Sequence, residues 1–265
     1  RILGRRGLHL AAAEAVRDGT APPQPGREVF SYLSIHRASW RQKGGGSLRE
    51  SRCPMTDKTD FKKTLAAYQA PRGEFRIVDV PDMQYLMIDG HGDPNTSPAF
   101  SDAVEALYPL AYKLKFASKR ELGRDYVVPP LEGLWWAEDM DSFTAVRDKS
   151  RWDWTMMIMT PNWVDEAMFT TAVDKAGAKN RPARLDDVRL EALSEGRCVQ
   201  TLHAGSFDDE AAVLAQLHED FIPSNGLRLS GKHHEIYLND FRKITPEKQR
   251  TILRQPITTG AASDP

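Results

Sequence analysis

The residue types best suited to chemistry gather near the end of the chain, in HHEIYLND (His233–Asp240). Read as a strand, this stretch sends His233, Glu235, Tyr237 and Asn239 to one side and His234, Ile236 and Leu238 to the other. The first set reads as a polar cleft face and the second as an apolar core face. A carboxylate and a phenol two residues apart on one face form a base and a hydrogen-bond donor within reach of a common ligand. In an aromatic pocket such a glutamate has its pKa raised by desolvation, or pairs with a bound cation. On the residues alone, an exposed strand face, where Glu and Tyr are ordinary, is the favoured account of Glu235 and Tyr237. His233 and His234 are adjacent and point apart, a poor geometry for joint metal binding, so no metal site is expected.

A second stretch, EGLWWAED (Glu132–Asp139), sets two tryptophans side by side. On a strand, Trp135 and Trp136 take opposite faces and cannot both enter one core. GHGDPN (Gly90–Asn95) lacks the full glycine spacing of a dinucleotide loop and places Asp93 where a phosphate would sit, so it reads as a shaped loop at a cleft rim. The methionines of DWTMMIMT (Met156, Met157 and Met159) read as core, with Met157 available as an adaptable pocket wall.

The elements around these residues are mixed. FRIVDVP and QYLMIDG (Phe75–Pro81, Gln84–Gly90) read as a strand pair. SPAFSDAVEALYPLAYKLKF follows as a helix capped by Ser97, with Pro98 first, an apolar stripe of Phe100, Val104, Leu107, Ala111 and Leu114, and a kink at Pro109. EGLWWAED and DWTMMIMT are strands. TPNWVDEAMFTTAVDKAG is a helix capped by Asn162 or Thr160 and ended at Gly177. DVRLEALSEG and RCVQTLHAG (Asp187–Gly205) read as a hairpin turning at Ser194–Gly196. A helix capped by Ser206, with Asp209 at the capping-box position, and the strand HHEIYLND complete the series. The order strand pair, glycine, capped helix, strand thus occurs twice, which predicts an α+β fold of two duplicated halves, about 72–160 and 185–257.

Composition narrows the function classes. The 265 residues carry a net charge of −1, but Arg1–Pro54 holds ten basic residues against four acidic ones, leaving 26 against 33 for the remainder. That remainder, at −7, lacks the clustered cations that nucleic acid requires, and suits neutral or cationic small ligands. No run approaches the length of a membrane span, so no membrane partner and a cytoplasmic location are expected. Cys53 and Cys198 sit apart in unrelated contexts and are expected as reduced thiols. Residues 1–54 are breaker-rich and read as a leader or upstream extension before a natural start at Met55; an Arg-rich transit peptide is the rival reading, opposed by Glu14, Asp18 and Glu28.

Taken together, GHGDPNTSPAFSDAVEALYPLAYKLKF, LEGLWWAEDM, WTMMIMTPNWV and HHEIYLNDFRKITPEKQRTILRQPI resemble the GyrI-like small-molecule-binding family, over about Asp60–Ile257. Within it they resemble the stand-alone branch implicated in cyclopropanoid hydrolysis. The resemblance implies duplicated β-α-β-β (SHS2-type) halves with a pseudo-two-fold cleft for flat or cationic molecules. Some relatives serve as the ligand-sensing half of transcription regulators, but Arg1–Pro54 has no helix-turn-helix pattern.

Aligning the two closing strands on Asp139 and Asp240 places Trp136 opposite Tyr237 and Leu134 opposite Glu235, facing the cleft, and sends Trp135 to the core beneath the helices. On this reading Glu235 holds or deprotonates a water and Tyr237 donates to a dienone carbonyl. Trp136, Trp163 and Tyr112, and secondarily Trp135, stack the ligand, and Met157 adapts to it. The scheme calls for no metal and no cofactor. The alternative is a non-catalytic module that binds or sequesters cationic or aromatic molecules, or a gyrase-interacting protein. The chain is expected as a monomer or homodimer.

Overall fold

The computed structural model describes residues 58–138, 148–178 and 180–259. The expected leader, the start at Met55, Cys53 and the Asp139 used for alignment lie outside the described residues. The fold is α+β, built on one large antiparallel sheet. Its strands are β1 (Arg76–Val80), β2 (Met83–His91), β3 (Leu131–Trp136), β4 (Asp153–Thr160), β5 (Arg189–Leu193), β6 (Gly196–Ala204), β7 (Leu227–Leu229), β8 (His233–Tyr237) and β9 (Arg250–Thr259). They run in the order β1-β6-β9-β8-β3-β4-β2-β5, with short β7 beside β9.

Neither the expected strand pair nor the expected hairpin forms. β1 pairs with β6 rather than β2, and β5 pairs with β2 rather than β6. Val80 faces Gly196 and Met83 faces Leu193, so the two ladders continue one another in a single register. The reason lies in the junctions. A two-residue reversal calls for left-handed backbone in its loop, yet Pro81, Asp82, Ser194 and Glu195 all lack it, and only Gly196 adopts it, at φ 62°. Each junction therefore carries the chain onward. The pairing scheme maps onto itself when β1, β2, β3 and β4 are exchanged with β5, β6, β8 and β9.

Helix α1 (Pro98–Glu121) begins on Pro98, where the missing N–H is not needed, and contains Pro109. It buries Val104, Leu107, Ala111 and Leu114 of the expected stripe. Helix α2 (Glu166–Gly177) is capped by Asp165, whose carboxylate accepts from the Met168 N–H at 2.8 Å; neither Asn162 nor Thr160 caps it. Both helices lie on one sheet face, over Leu86, Ile88, Leu131, Trp154, Met156 and Ile158. In the second half, α3 (Glu210–Ala215) continues as a wider turn through Gln216–Phe221, whose Leu217 packs with Val199, Ile222 and Ile257. No described helix is long and apolar enough to cross a membrane.

The opposite sheet face is also buried, around Tyr85, Met87, Leu134, Met157, Met159, Cys198 and Ile236, with Ala67 and Tyr68 against it. Burial pushes the Cys198 thiol up to about 12, which keeps it protonated and inert. This face also holds four charged side chains with at most 3% exposure: Glu132, Glu195, His234 and Arg254. His234 Nε2 lies 2.9 Å from Glu132 and its Nδ1 2.9 Å from Glu195. Both ring nitrogens thus face carboxylates, an arrangement that favours the imidazolium. Arg254 donates to Glu195 at 2.7 Å, and Tyr68 donates to Glu132 at 2.5 Å.

Candidate functional site

A cleft of about 790 Å³ opens between the two halves. One wall is the rim loop at Pro94 and Asn95 with the start of α1; the other is the segment Ser206–Glu219. Its floor is made where β3 and β8 pair, Trp135 against His233, Gly133 against Glu235 and Leu131 against Tyr237. That register, with side chains alternating along each strand, puts Trp135, Glu235 and Tyr237 on one face.

The first half contributes Phe100, Trp135 and Trp152, and the second Phe207, Tyr237 and Phe241. Phe100 stacks on Trp135 with centroids 6.2 Å apart, and Trp152 meets Trp135 edge-on at 5.9 Å. Across the cleft, Phe207 and Phe241 both meet Tyr237 edge-on, at 5.7 and 5.4 Å. Flat apolar walls therefore stand on two sides of a polar floor, the arrangement that receives a planar organic molecule.

The polar floor is an ordered relay. The Trp135 indole N–H donates to the Tyr237 oxygen at 3.1 Å, and the Tyr237 hydroxyl donates to Glu235 Oε2 at 2.8 Å. Burial, followed by the adjacent Glu235 charge, holds the Tyr237 pKa far above its ordinary value, so the phenol stays neutral. Glu235 is half-buried, and its other oxygen, Oε1, lies 3.7 Å from His233 Nε2. Buried Glu210, at the start of α3, adds a second carboxyl to the lining and acts on the Tyr237 charge. His218 is pushed down to about 4 by burial first and His233 second, so its imidazole is neutral near neutral pH. At the mouth Lys149 lies 3.8 Å from Asp208.

The structure brings together Glu235, Tyr237 and Trp135 of the expected residues. Trp136 goes to the opposite sheet face, where Lys232 sits 3.2 Å above its ring. Leu134 and Met157 are buried on that same face, away from the cleft. Trp163 packs by Tyr126 and Phe61 and donates to Ser118 at 2.9 Å; Tyr112 is exposed beside Phe116. Neither lines the cleft. Asn239 bonds the backbone of Lys248 and Arg250 instead of facing a ligand.

Trp135 lies in the core beneath the helices, as expected, and also lines the cleft, whereas Trp136 misses the cleft for a physical reason. Core and cleft share the helical side of the sheet, because the cleft is the gap between the helices rather than a separate surface. The closing strands also pair Gly133, not Leu134, with Glu235. Sequence reasoning missed Phe100, Trp152, Phe207, Phe241 and Glu210 as lining. Phe100 was absorbed into the helix stripe, and the others lie in connections or at a helix start, where no periodicity marks a face. The expected rim loop does line the cleft, through Pro94 and Asn95.

An antiparallel sheet with a ligand-sized aromatic cleft between two helical elements defines a small-molecule-binding fold. Residues 73–255 match the GyrI-like small molecule binding domain, and the chain belongs to that family. It is similar to an uncharacterized conserved protein from Listeria innocua, at 39% identity over 76% of this chain and 100% of that one, with a TM-score of 0.69. A structure described as a hydrolase from the same organism matches over the same shares at 36% identity and a TM-score of 0.65. No curated protein matches the chain.

Proposed function

We propose that the protein is a hydrolase that opens electrophilic cyclopropane rings in planar, dienone-bearing genotoxins. The observation that carries this reading is the 2.8 Å bond from Tyr237 to Glu235 on the floor of an aromatic cleft. The Listeria innocua structure described as a hydrolase supports it. The aromatic walls orient the ligand and exclude bulk water. Glu235 takes a proton from a bound water whose oxygen bonds to the ring methylene carbon. The bond from that carbon to the spiro carbon breaks, and its electron pair passes through the dienone to the carbonyl oxygen. Tyr237 protonates this oxygen to give a phenol and recovers its proton from Glu235 along their hydrogen bond. Atoms and charge balance as the addition of one water, with both side chains returned to their starting state.

The test is mass spectrometry of a spirocyclopropyl cyclohexadienone incubated with the full chain or its Glu235→Gln form. The parent should yield a product heavier by one water, and the variant none while still binding the compound. An adduct formed equally by both would remove Glu235 from the chemistry.

A second reading is favoured by the surplus of acids. Glu210, Glu235, Asp208 and Glu219 line the cleft against Lys149 as the facing ammonium. Such a site attracts an aromatic cation without needing to transform it. Unchanged compound that nevertheless quenches tryptophan fluorescence in both proteins would select this reading. The self-mapping strand pairing supports the further proposal that the halves arose by duplication.

A further inference from the structure

Gly133 stands directly opposite Glu235 in the β3–β8 ladder. Glycine in the interior of a strand is unfavourable, so its presence asks for a cause. Backbone conformation does not supply one, because Gly133 is not among the glycines with positive φ. Space does. A Cβ at 133 would lie 2.8 Å from the Trp135 indole nitrogen, 3.1 Å from the Tyr237 oxygen and 3.2 Å from Trp135 Cε2. The atoms it would strike are the two ends of the hydrogen bond that orders the cleft floor.

That bond has a direction. An indole N–H only donates and an ionised carboxylate only accepts. With the indole on its oxygen, Tyr237 has its own proton directed at Glu235. We propose that Gly133 is a positioning residue: its missing side chain lets the Trp135 indole lie back across β3 and fix the Tyr237 hydroxyl on Glu235. The kinetic arm of the test rests on the hydrolase reading, whereas the spectroscopic arm does not.

The full chain, labelled with nitrogen-15, carries a Trp135 indole N–H resonance identified by its loss in Trp135→Phe. In Gly133→Ala this resonance should shift and exchange with solvent about tenfold faster, since a hydrogen bond of ordinary net strength is worth roughly that factor. Tyr237→Phe, which removes the acceptor, should shift it in the same way. A Gly133→Ala resonance with the position and exchange rate of the parent overturns the proposal, whether or not the protein turns over any compound.

With the spirocyclopropyl dienone as substrate, Gly133→Ala should lower kcat about tenfold and leave KM within about twofold. Equal kcat with raised KM would mean that Gly133 shapes binding only, and would overturn the positioning role. Should Gly133→Ala lose its cooperative thermal transition, Trp135→Phe serves in its place, keeping a ring while removing the donor. It should show the same fall in kcat, and an undiminished kcat there overturns the proposal. Absence of turnover by the parent refutes the hydrolase reading and leaves the resonance to decide on Gly133.

Discussion

Glu195, His234 and Arg254 hold two carboxylate–cation contacts among buried side chains, behind the strand that carries Glu235. Removing one partner leaves the others charged and buried, so Glu195→Ala should cost about 3–5 kcal/mol in urea unfolding. The pH dependence has two limbs. The His234 imidazolium is favoured by Glu195 and by its carboxylate hydrogen bonds over the opposing cost of burial, raising its pKa from 6.5. Its contribution is complete below that value and fades as pH rises through the raised one. Glu195 is held at about 2 against an ordinary 4.5, because His234 and then Arg254 outweigh the burial that opposes them. Its contribution is present above 4.5 and fades as pH falls towards 2. Thermal midpoints should therefore decline on both sides, and Glu195→Ala should flatten the acid limb. Alternation in HHEIYLND made the inward turn of His234 legible. Its partners were not legible, because Glu132, Glu195 and Arg254 come from other strands that only the folded register brings near. The same limit governs Trp135 and Trp136: alternation separates them, but which face holds the cleft is a property of the helices across it.

Among the elements, the helices were the easiest to read, since their stripes are local, although neither Ser97 nor Ser206 caps its helix through the side chain. Even there the cap of α2 went to Asp165, three residues before Met168, whose N–H it accepts. Asp165→Ala should destabilise the protein by about 1 kcal/mol, whereas Asn162→Ala should leave the thermal midpoint unchanged. The strands were legible as strands and illegible as pairs, because β1 and β5 could each have turned back in two residues, and the decision rests on backbone at Pro81 and Ser194. Close packing between elements adds constraints of its own. Gly90 pairs with Trp154, and a Cβ there would overlap the indole ring. Gly90→Ala should cost about 1–3 kcal/mol, read by the same unfolding assay, because the tryptophan is wholly buried and cannot step aside.

For the whole molecule, residues 58–259 include every described element. A chain starting at Met55, which keeps every described element, should keep the thermal midpoint and the ligand-induced fluorescence change of the full chain. A larger consequence comes from the ladders β1–β6, β2–β5 and β3–β8, each of which joins a strand from before residue 178 to one from after it. Neither half satisfies its backbone by itself, and the Trp135–Tyr237 bond spans the same divide. A polypeptide severed between α2 and β5 would thus give two fragments that complement one another like the split pieces of a reporter. Cleft binding would return only when they reassociate, at a rate set by their concentration.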